Sequence, residues 1–185
     1  MITKRIANRL NKLMCDLNPV NELWQKAVMA NIDGRQMQCM FFGSFIIGLY
    51  DKSELIETHE SSDAEKGIQK YLTTKLPEAY NQISFSLDDI KAAQEAWKNR
   101  EQVAGKPKTP IVQLGGKFFN AELVQLILET LTNRDGQFAW CQTVESVHRM
   151  DYIETDNGIA VLCPQHKSVA SWAINVPVDI MDEVR

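Results

Sequence analysis

The spacing of apolar residues at the amino end predicts an amphipathic helix with a basic outer side. Apolar side chains recur at helical intervals between residues 2 and 14. At 100° per residue, four cations fall on the opposite side within an arc of about 140°. These cations are Lys4, Arg5, Arg9 and Lys12.

Three strands are predicted after this helix. The Asn18-Pro19 pair breaks the helical pattern, and residues 23–30 have the composition of a strand. Asp33-Gly34 is a pair that favours a tight hairpin turn with positive φ, so residues 36–42 are expected to return beside the first strand. Residues 45–50 supply the third strand.

Residues 52–80 are interpreted as a polar excursion. Acidic side chains dominate this stretch as far as Gly67, so it has little to bury and is expected to be exposed. Residues 68–76 predict a short helix, which Pro77 ends.

A short strand near Ile83 and a longer helix are predicted next. Ser86 precedes two aspartates, which is typical of a helix start, and the helix is expected to run to about Arg100. Pro107 and Pro110 then mark a linker.

The last third repeats the order helix, strand, strand, strand. Asn120 can cap a helix with a broad apolar stripe, and strands are expected at residues 138–143, 150–154 and 159–163. Two such units imply an α+β fold in which a helix plus three antiparallel strands is repeated, with the helices on one face of the sheets.

The length fits a single domain with a short extension. With 185 residues, the chain has room for one domain. We interpret residues 1–166 as that domain, built from half-units 1–51 and 81–166 around the excursion. Residues 167–185 form a C-terminal extension.

Charge and apolar content limit the possible functions. The net charge of -4 means that any nucleic-acid contact must come from a local basic surface. The most apolar stretch, residues 39–50, is far shorter than the ~20 residues that a membrane-spanning helix needs. The amino end also lacks the unbroken apolar run of a secretory signal. A cytoplasmic protein with no membrane partner is expected, with cysteines present as thiols.

Catalytic signatures are missing from the sequence. It contains no phosphate-binding GxxxxGK[ST] motif, no GxGxxG, no HExxH and no GxSxG. A noncatalytic protein is therefore expected.

One set of residues could bind a metal ion. Cysteine and histidine alternate along the chain, and a Cys-x2-His pair places two ligands within reach of one ion. The residues are Cys141, His148, Cys163 and His166. Strand alternation instead favours Cys141 and Cys163 as buried free thiols, so neither a metal nor another cofactor is expected.

The basic side of the first helix is the most function-like charge feature. It could neutralise a few phosphates without reading bases, although an ordinary solvated helix face is the competing interpretation. Tryptophans could stack on bases in a single-strand binder, but Trp97 and Trp140 occupy apolar periodic positions that favour core packing.

Two segments resemble the bacterial replicative sliding clamp, the β subunit of DNA polymerase III. Residues 23–51 are similar to its first strands, through the hairpin Asp33-Gly34-Arg35 and the sequence Ile47-Gly48-Leu49. Residues 119–166 look like the closing half of its last domain, in which a helix beginning Asn-Ala-x-x-Leu precedes strands and a terminal hydrophobic-Met-Pro-Met sequence. Here the helix begins Asn120-Ala121-Glu122-Leu123, and the terminus reads Val161-Leu162-Cys163-Pro164-Gln165.

The resemblance implies a clamp-like fold that self-associates into a ring, with helices lining a DNA-filled hole. The basic side of the first helix would face the DNA. Replication proteins would dock near the last strand, at the positions Val161, Cys163 and Pro164. The helix from Asn120, however, has no cation on its polar side.

Besides a small metal-dependent enzyme built on Cys141, His148, Cys163 and His166, which would require bound zinc, two functions remain open. The chain could be a noncatalytic clamp-like protein that tethers to duplex DNA or replication proteins. Alternatively, it could be an acidic interaction module that modulates a full-length clamp or its loader without binding DNA.

Overall fold

A computed structural model describes residues 2–72, 80–100, 105–132, 137–143 and 150–184. At residue 71 and at residues 182–184 it describes the backbone alone. Within these ranges, no helix is long and apolar enough to cross a membrane.

The first half-unit begins with helix α1, Lys4–Leu17, in agreement with the predicted helix. The Thr3 hydroxyl accepts a hydrogen bond from the Ile6 N–H and caps its amino end. Three strands follow: β1 (Ala27–Ile32), β2 (Arg35–Phe41) and β3 (Phe45–Leu49).

The start of the first strand was predicted too early. Residues Glu22–Trp24 form a 3-10 turn, because the Asn21 side chain accepts a hydrogen bond from the Leu23 N–H and holds the chain in a turn. The hairpin prediction is confirmed, since Asp33 and Gly34 have φ values of 50° and 85°.

Residues 52–72 are packed on the sheet, which corrects their interpretation as an exposed excursion. Strand β4 (Thr58–His59) pairs in parallel with β1, and helix α2 (Ser62–Leu72) packs against β1. Ile56, Ala64 and Ile68 are buried. Between its acidic side chains, α2 has apolar residues such as Ala64 and Ile68 on one side, and these form the buried stripe of a surface helix. Residues 73–76 and Pro77 lie outside the described residues.

The second half-unit follows strand β5 (Tyr80–Ser84) and helix α3 (Leu87–Lys98). Helix α4, Ala121–Leu131, is capped by Asn120 as predicted. Three strands then complete the unit. They are β8 (Ala139–Thr143), β9 (Asp151–Thr155) and β10 (Gly158–Leu162).

Four further strands were not predicted. β6 (Ile111–Leu114) and β7 (Lys117–Asn120) form a hairpin within the expected linker region. β11 (Ile174–Val176) pairs in parallel with β6, and β12 (Asp179–Val184) pairs antiparallel with β5. The segment after residue 166 thus contributes a strand to each sheet.

The strands form one large sheet and one small sheet. The large sheet has nine strands in the order β12-β5-β8-β9-β10-β3-β2-β1-β4, and the small sheet has the order β11-β6-β7. The α+β class is confirmed.

The two half-units meet at the antiparallel pair β3 and β10, where Ile47 lies opposite Ala160. A Cβ atom at Gly158 would collide with the carbonyl oxygen of Gly48, so these strands can approach only because position 158 lacks a side chain.

Helices cover both faces of the large sheet. On the inner face, Ile47 and Leu162 belong to one core with residues of α1, α3 and α4. On the outer face, Ile46 and Val161 belong to a second core with Ile68 of α2. Because neighbouring strand residues point to opposite faces, α1 and α4 share one face as predicted, and α2 lies on the other.

A buried ion pair joins the small sheet to the large one. Lys117 on β7 contacts Asp151 on β9, and their side chains are 3% and 0% exposed. The Trp140 Nε1 and Gln142 Nε2 atoms donate hydrogen bonds of 2.7 and 2.9 Å to the other carboxylate oxygen. Burial raises the pKa of Asp151, and Lys117 opposes that rise. The charge of Asp151 is therefore compensated on several sides.

Replacing Ser86 with Ala is expected to destabilise the protein by about 1 kcal/mol. The Ser86 hydroxyl accepts from the Asp89 N–H, and the Asp89 carboxylate accepts from the Ser86 N–H. The Ser86 hydroxyl, which also donates to the Asp89 carboxylate at 2.6 Å, and the Ser86 N–H lower the pKa of Asp89, so the cap stabilises above the unfolded-state pKa of about 3.9 and weakens as pH falls below it. Urea denaturation at neutral and acidic pH tests this. Equal stability of Ser86→Ala and of Ser84→Ala, an exposed strand position, would contradict it.

Candidate nucleic-acid interface

Helix α1 is fixed on the inner face of the large sheet by apolar packing and by one polar anchor. Ala7, Leu10 and Met14 are fully buried. The Asn11 side chain donates a 3.0 Å hydrogen bond to the Leu55 carbonyl oxygen and accepts one of 3.3 Å from the Glu57 N–H. These contacts determine which side of the helix faces solvent.

The solvent side of α1 carries all four predicted cations, and we call it the basic face. Lys4, Arg5, Arg9 and Lys12 are exposed. At a rise of 1.5 Å per residue, the basic face extends over about 12 Å. Along the axis of duplex DNA each strand contributes one phosphate about every 3.4 Å, so a surface of this length can reach several phosphates.

The cations of the basic face have no acidic partner among the residues that the structure describes. Helix α3 is different, because Lys91 pairs with Asp88 and Lys98 with Glu95, at 3.1 and 2.7 Å. An exposed helix of this protein can therefore neutralise its own charges, but α1 leaves its cations available to an outside anion.

The charges of α1 also oppose its helix dipole. Lys4 and Arg5 occupy the first turn, which has no acidic residue, and the exposed Asp16 lies in the last turn, which has no basic residue. The amino end of a helix carries positive partial charge, and each misplaced charge costs about 0.3–1 kcal/mol when exposed. Helix stability thus does not explain this charge order.

Helix α4 presents no comparable surface. Its polar residues face α3, where the Gln94 amide donates hydrogen bonds to Gln125 Oε1 and to the Ala121 carbonyl oxygen. Gln125 in turn donates to Glu129 at 2.6 Å. Within α4, only the Glu122 side chain is exposed. Of α1 and α4, only α1 therefore presents exposed cations.

A cavity of about 560 Å³ lies beside the amino end of α1. Ile2, Leu49 and Leu55 supply apolar lining, and Asp51 and Glu54 contribute carboxylates. Lys52 also lines the cavity but is paired with Glu54 at 3.4 Å. This mixed lining does not extend the basic face.

The predicted partner-binding residues lie at the end of β10. Val161 is 7% exposed and packs in the outer core. Cys163 and Pro164 are half-buried, and the Cys163 N–H donates a hydrogen bond to the Ser44 carbonyl oxygen. Surface for a partner is therefore limited to Cys163 and Pro164, and docking at these positions stays a prediction.

The structure does not bring the two cysteines of the possible metal site together. Cys141 lies on β8 and Cys163 follows β10, with β9 between them, so about 10 Å of sheet separates their strands. Burial raises the pKa of Cys141 to about 11 and also raises that of Cys163, which keeps both thiols protonated. No metal-binding group of three or more ligands occurs within the described ranges, which do not include His148.

Sequence reasoning identified the basic face but missed the contacts that position it. Asn11 gave no signal, because an asparagine in a helical pattern usually faces solvent. Asp16 near the end of α1 is visible in the sequence. Comparing the charges of the first and last predicted turns could have revealed that they oppose the helix dipole.

Comparisons with protein-family models, with curated proteins and with solved structures found no match to this chain.

Proposed function

We propose that this chain is a noncatalytic, clamp-like protein that tethers itself to duplex DNA through the basic face of α1. The carrying observation is a row of four exposed cations with no acidic partner in the described residues, two of which, Lys4 and Arg5, lie in the first turn and oppose the dipole of their own helix. The proposal places the protein in the cytoplasm, where self-association and docking of replication proteins would add to the tether.

The repeated architecture supports the clamp-like part of the proposal. Each half-unit contains a helix followed by three antiparallel strands, α1 with β1 to β3 and α4 with β8 to β10, and the two units join through β3 and β10 in one continuous sheet. The shared inner face of α1 and α4 agrees with the arrangement that the resemblance to the replicative clamp implies, whereas α2 lies on the outer face.

Binding would neutralise phosphates without reading bases. Helix α1 contains no aromatic residue that could stack on an unpaired base. Trp140 is fully buried and Trp97 nearly so, and neither offers a platform. Affinity should therefore be independent of sequence and strongly dependent on salt.

A salt titration tests this proposal. If four phosphates are contacted, log Kobs for a labelled DNA duplex should fall against log salt concentration with a slope of about -3.6. This corresponds to a loss of about 150-fold between 50 and 200 mM salt. Replacing Lys12 with Gln should bring the slope to about -2.7, because one phosphate contact is lost. Fluorescence anisotropy gives both slopes.

Lys91→Gln on α3 is the matched control, because Lys91 is also exposed but is paired with Asp88. Its slope should equal that of the unmodified protein. If Lys12→Gln and Lys91→Gln change the slope equally, or if the duplex is not bound at low salt, the tethering proposal is wrong.

Within the described residues α4 carries no cation beside those of α1, and this favours the alternative function. Because the polar side of α4 is covered by α3, this chain could instead be an acidic module that modulates a full-length clamp or its loader. Capture of a purified clamp by a protein that does not bind duplex DNA would support the module.

A further inference from the structure

The two edges of the large sheet differ in how far other elements cover their main-chain groups. At one end the outermost strand is the two-residue β4, and helix α2 covers β1 beyond it: Glu65 accepts a 3.0 Å hydrogen bond from the Asn31 N–H, and the Gln69 amide donates one of 2.9 Å to the Asn31 carbonyl oxygen. These contacts occupy the main-chain groups through which Asn31 could pair with another strand.

At the other end, β12 has β5 as its only neighbour in the described sheet. Residues 179–181 pair regularly with β5, and the register shifts after Met181. Ile180 and Met181 are 63% and 53% exposed, although both are large and apolar. Since successive strand residues point to opposite faces, each face of the sheet ends in an exposed apolar side chain.

The charge of β12 limits which strand can pair with it. Asp179 is exposed, and the sequence of the strand continues with Asp182 and Glu183. A second copy would bring acidic strands together, and carboxylates on an edge strand are a common protection against such self-pairing. The same charges attract a strand of opposite sign, because one feature can repel a wrong partner and select a right one.

We infer that β12 is a docking edge for a cationic β-strand of another protein. The incoming strand pairs with the main chain of residues 179–181, places a Lys or Arg near Asp179 and lays aliphatic side chains beside Ile180 and Met181. Main-chain hydrogen bonds supply affinity, and the charges and side chains supply specificity. This interface does not involve α1, so it is independent of DNA binding.

A synthetic peptide with alternating lysine and valine tests the inference. We expect this fluorescent peptide to bind the full chain and to slow amide hydrogen exchange at residues 179–181. Ile180→Lys should weaken binding about tenfold or more, because it removes an apolar contact and adds a like charge. Val20→Lys is the matched control, since Val20 is 96% exposed and lies outside the sheets. It should leave the affinity unchanged.

Three results would overturn the inference. Equal binding of a peptide with glutamate in place of lysine would exclude selection by charge. Equal binding of a lysine peptide interrupted by proline would show adhesion without strand pairing. A dimer in light scattering that Ile180→Lys dissociates would make a second copy the occupant. Because Ile180 is exposed, Ile180→Lys should fold, and the melting temperature checks this.

Discussion

Replacing Arg5, Arg9 and Lys12 together with Glu is expected to abolish binding of duplex DNA at low salt, a loss of about 100-fold or more. The variant removes three of the four cations of the basic face and puts three carboxylates opposite the phosphates. An electrophoretic mobility assay and fluorescence anisotropy would both measure the loss.

The same variant should be as stable as the unmodified protein or slightly more stable. Arg5 lies in the first turn of α1, where a Glu interacts favourably with the helix dipole. All three side chains are exposed, so no packing is lost. A loss of binding together with an unchanged or higher melting temperature would separate function from folding.

A second triple variant provides the control. Lys66, Lys91 and Lys108 are exposed and lie on α2, on α3 and in the loop before β6. Their replacement with Glu changes the net charge equally. If both variants lose binding to the same extent, overall charge governs DNA affinity and the basic face has no special role.

Replacing Lys117 with Met is expected to destabilise the protein by about 3–5 kcal/mol at neutral pH. The substitution leaves the Asp151 carboxylate buried without its cation, while the hydrogen bonds from Trp140 and Gln142 remain. Urea denaturation measures the change. Lys91→Met, which breaks an exposed pair, should cost about 0.5 kcal/mol or less.

The cost of Lys117→Met should decrease as pH falls. Without Lys117, burial raises the pKa of Asp151 further above its unfolded-state value of about 3.9. A group with a raised folded-state pKa stabilises the fold at low pH and loses that contribution as pH rises. Adding Asp151→Asn should recover about 1–2 kcal/mol at neutral pH, because the buried charge is removed. If the destabilisation caused by Lys117→Met did not change with pH, the buried carboxylate of Asp151 would not be its origin.

Local signals made half of this architecture predictable. The periodicity of α1, the Asp33-Gly34 turn and the caps at Ser86 and Asn120 each depend on residues close in sequence. Those signals gave the order helix, strand, strand, strand at both ends of the chain. They also placed the basic face on solvent.

Long-range pairing explains what was missed. β6 and β7 are only four residues each, and β11 and β12 depend on partners far away in sequence, so none had a strong local pattern. Asp151 was within a predicted strand, and its alternation with Ile153 placed it on the core side. Only the structure shows that Lys117 forms an ion pair with Asp151 in the core.

The contacts of α2 with Asn31 limit how copies of this protein could assemble. Because these main-chain groups are already hydrogen-bonded, a strand of a second copy cannot pair with the same stretch of β1. A closed circle of subunits would therefore need other surfaces for its joints.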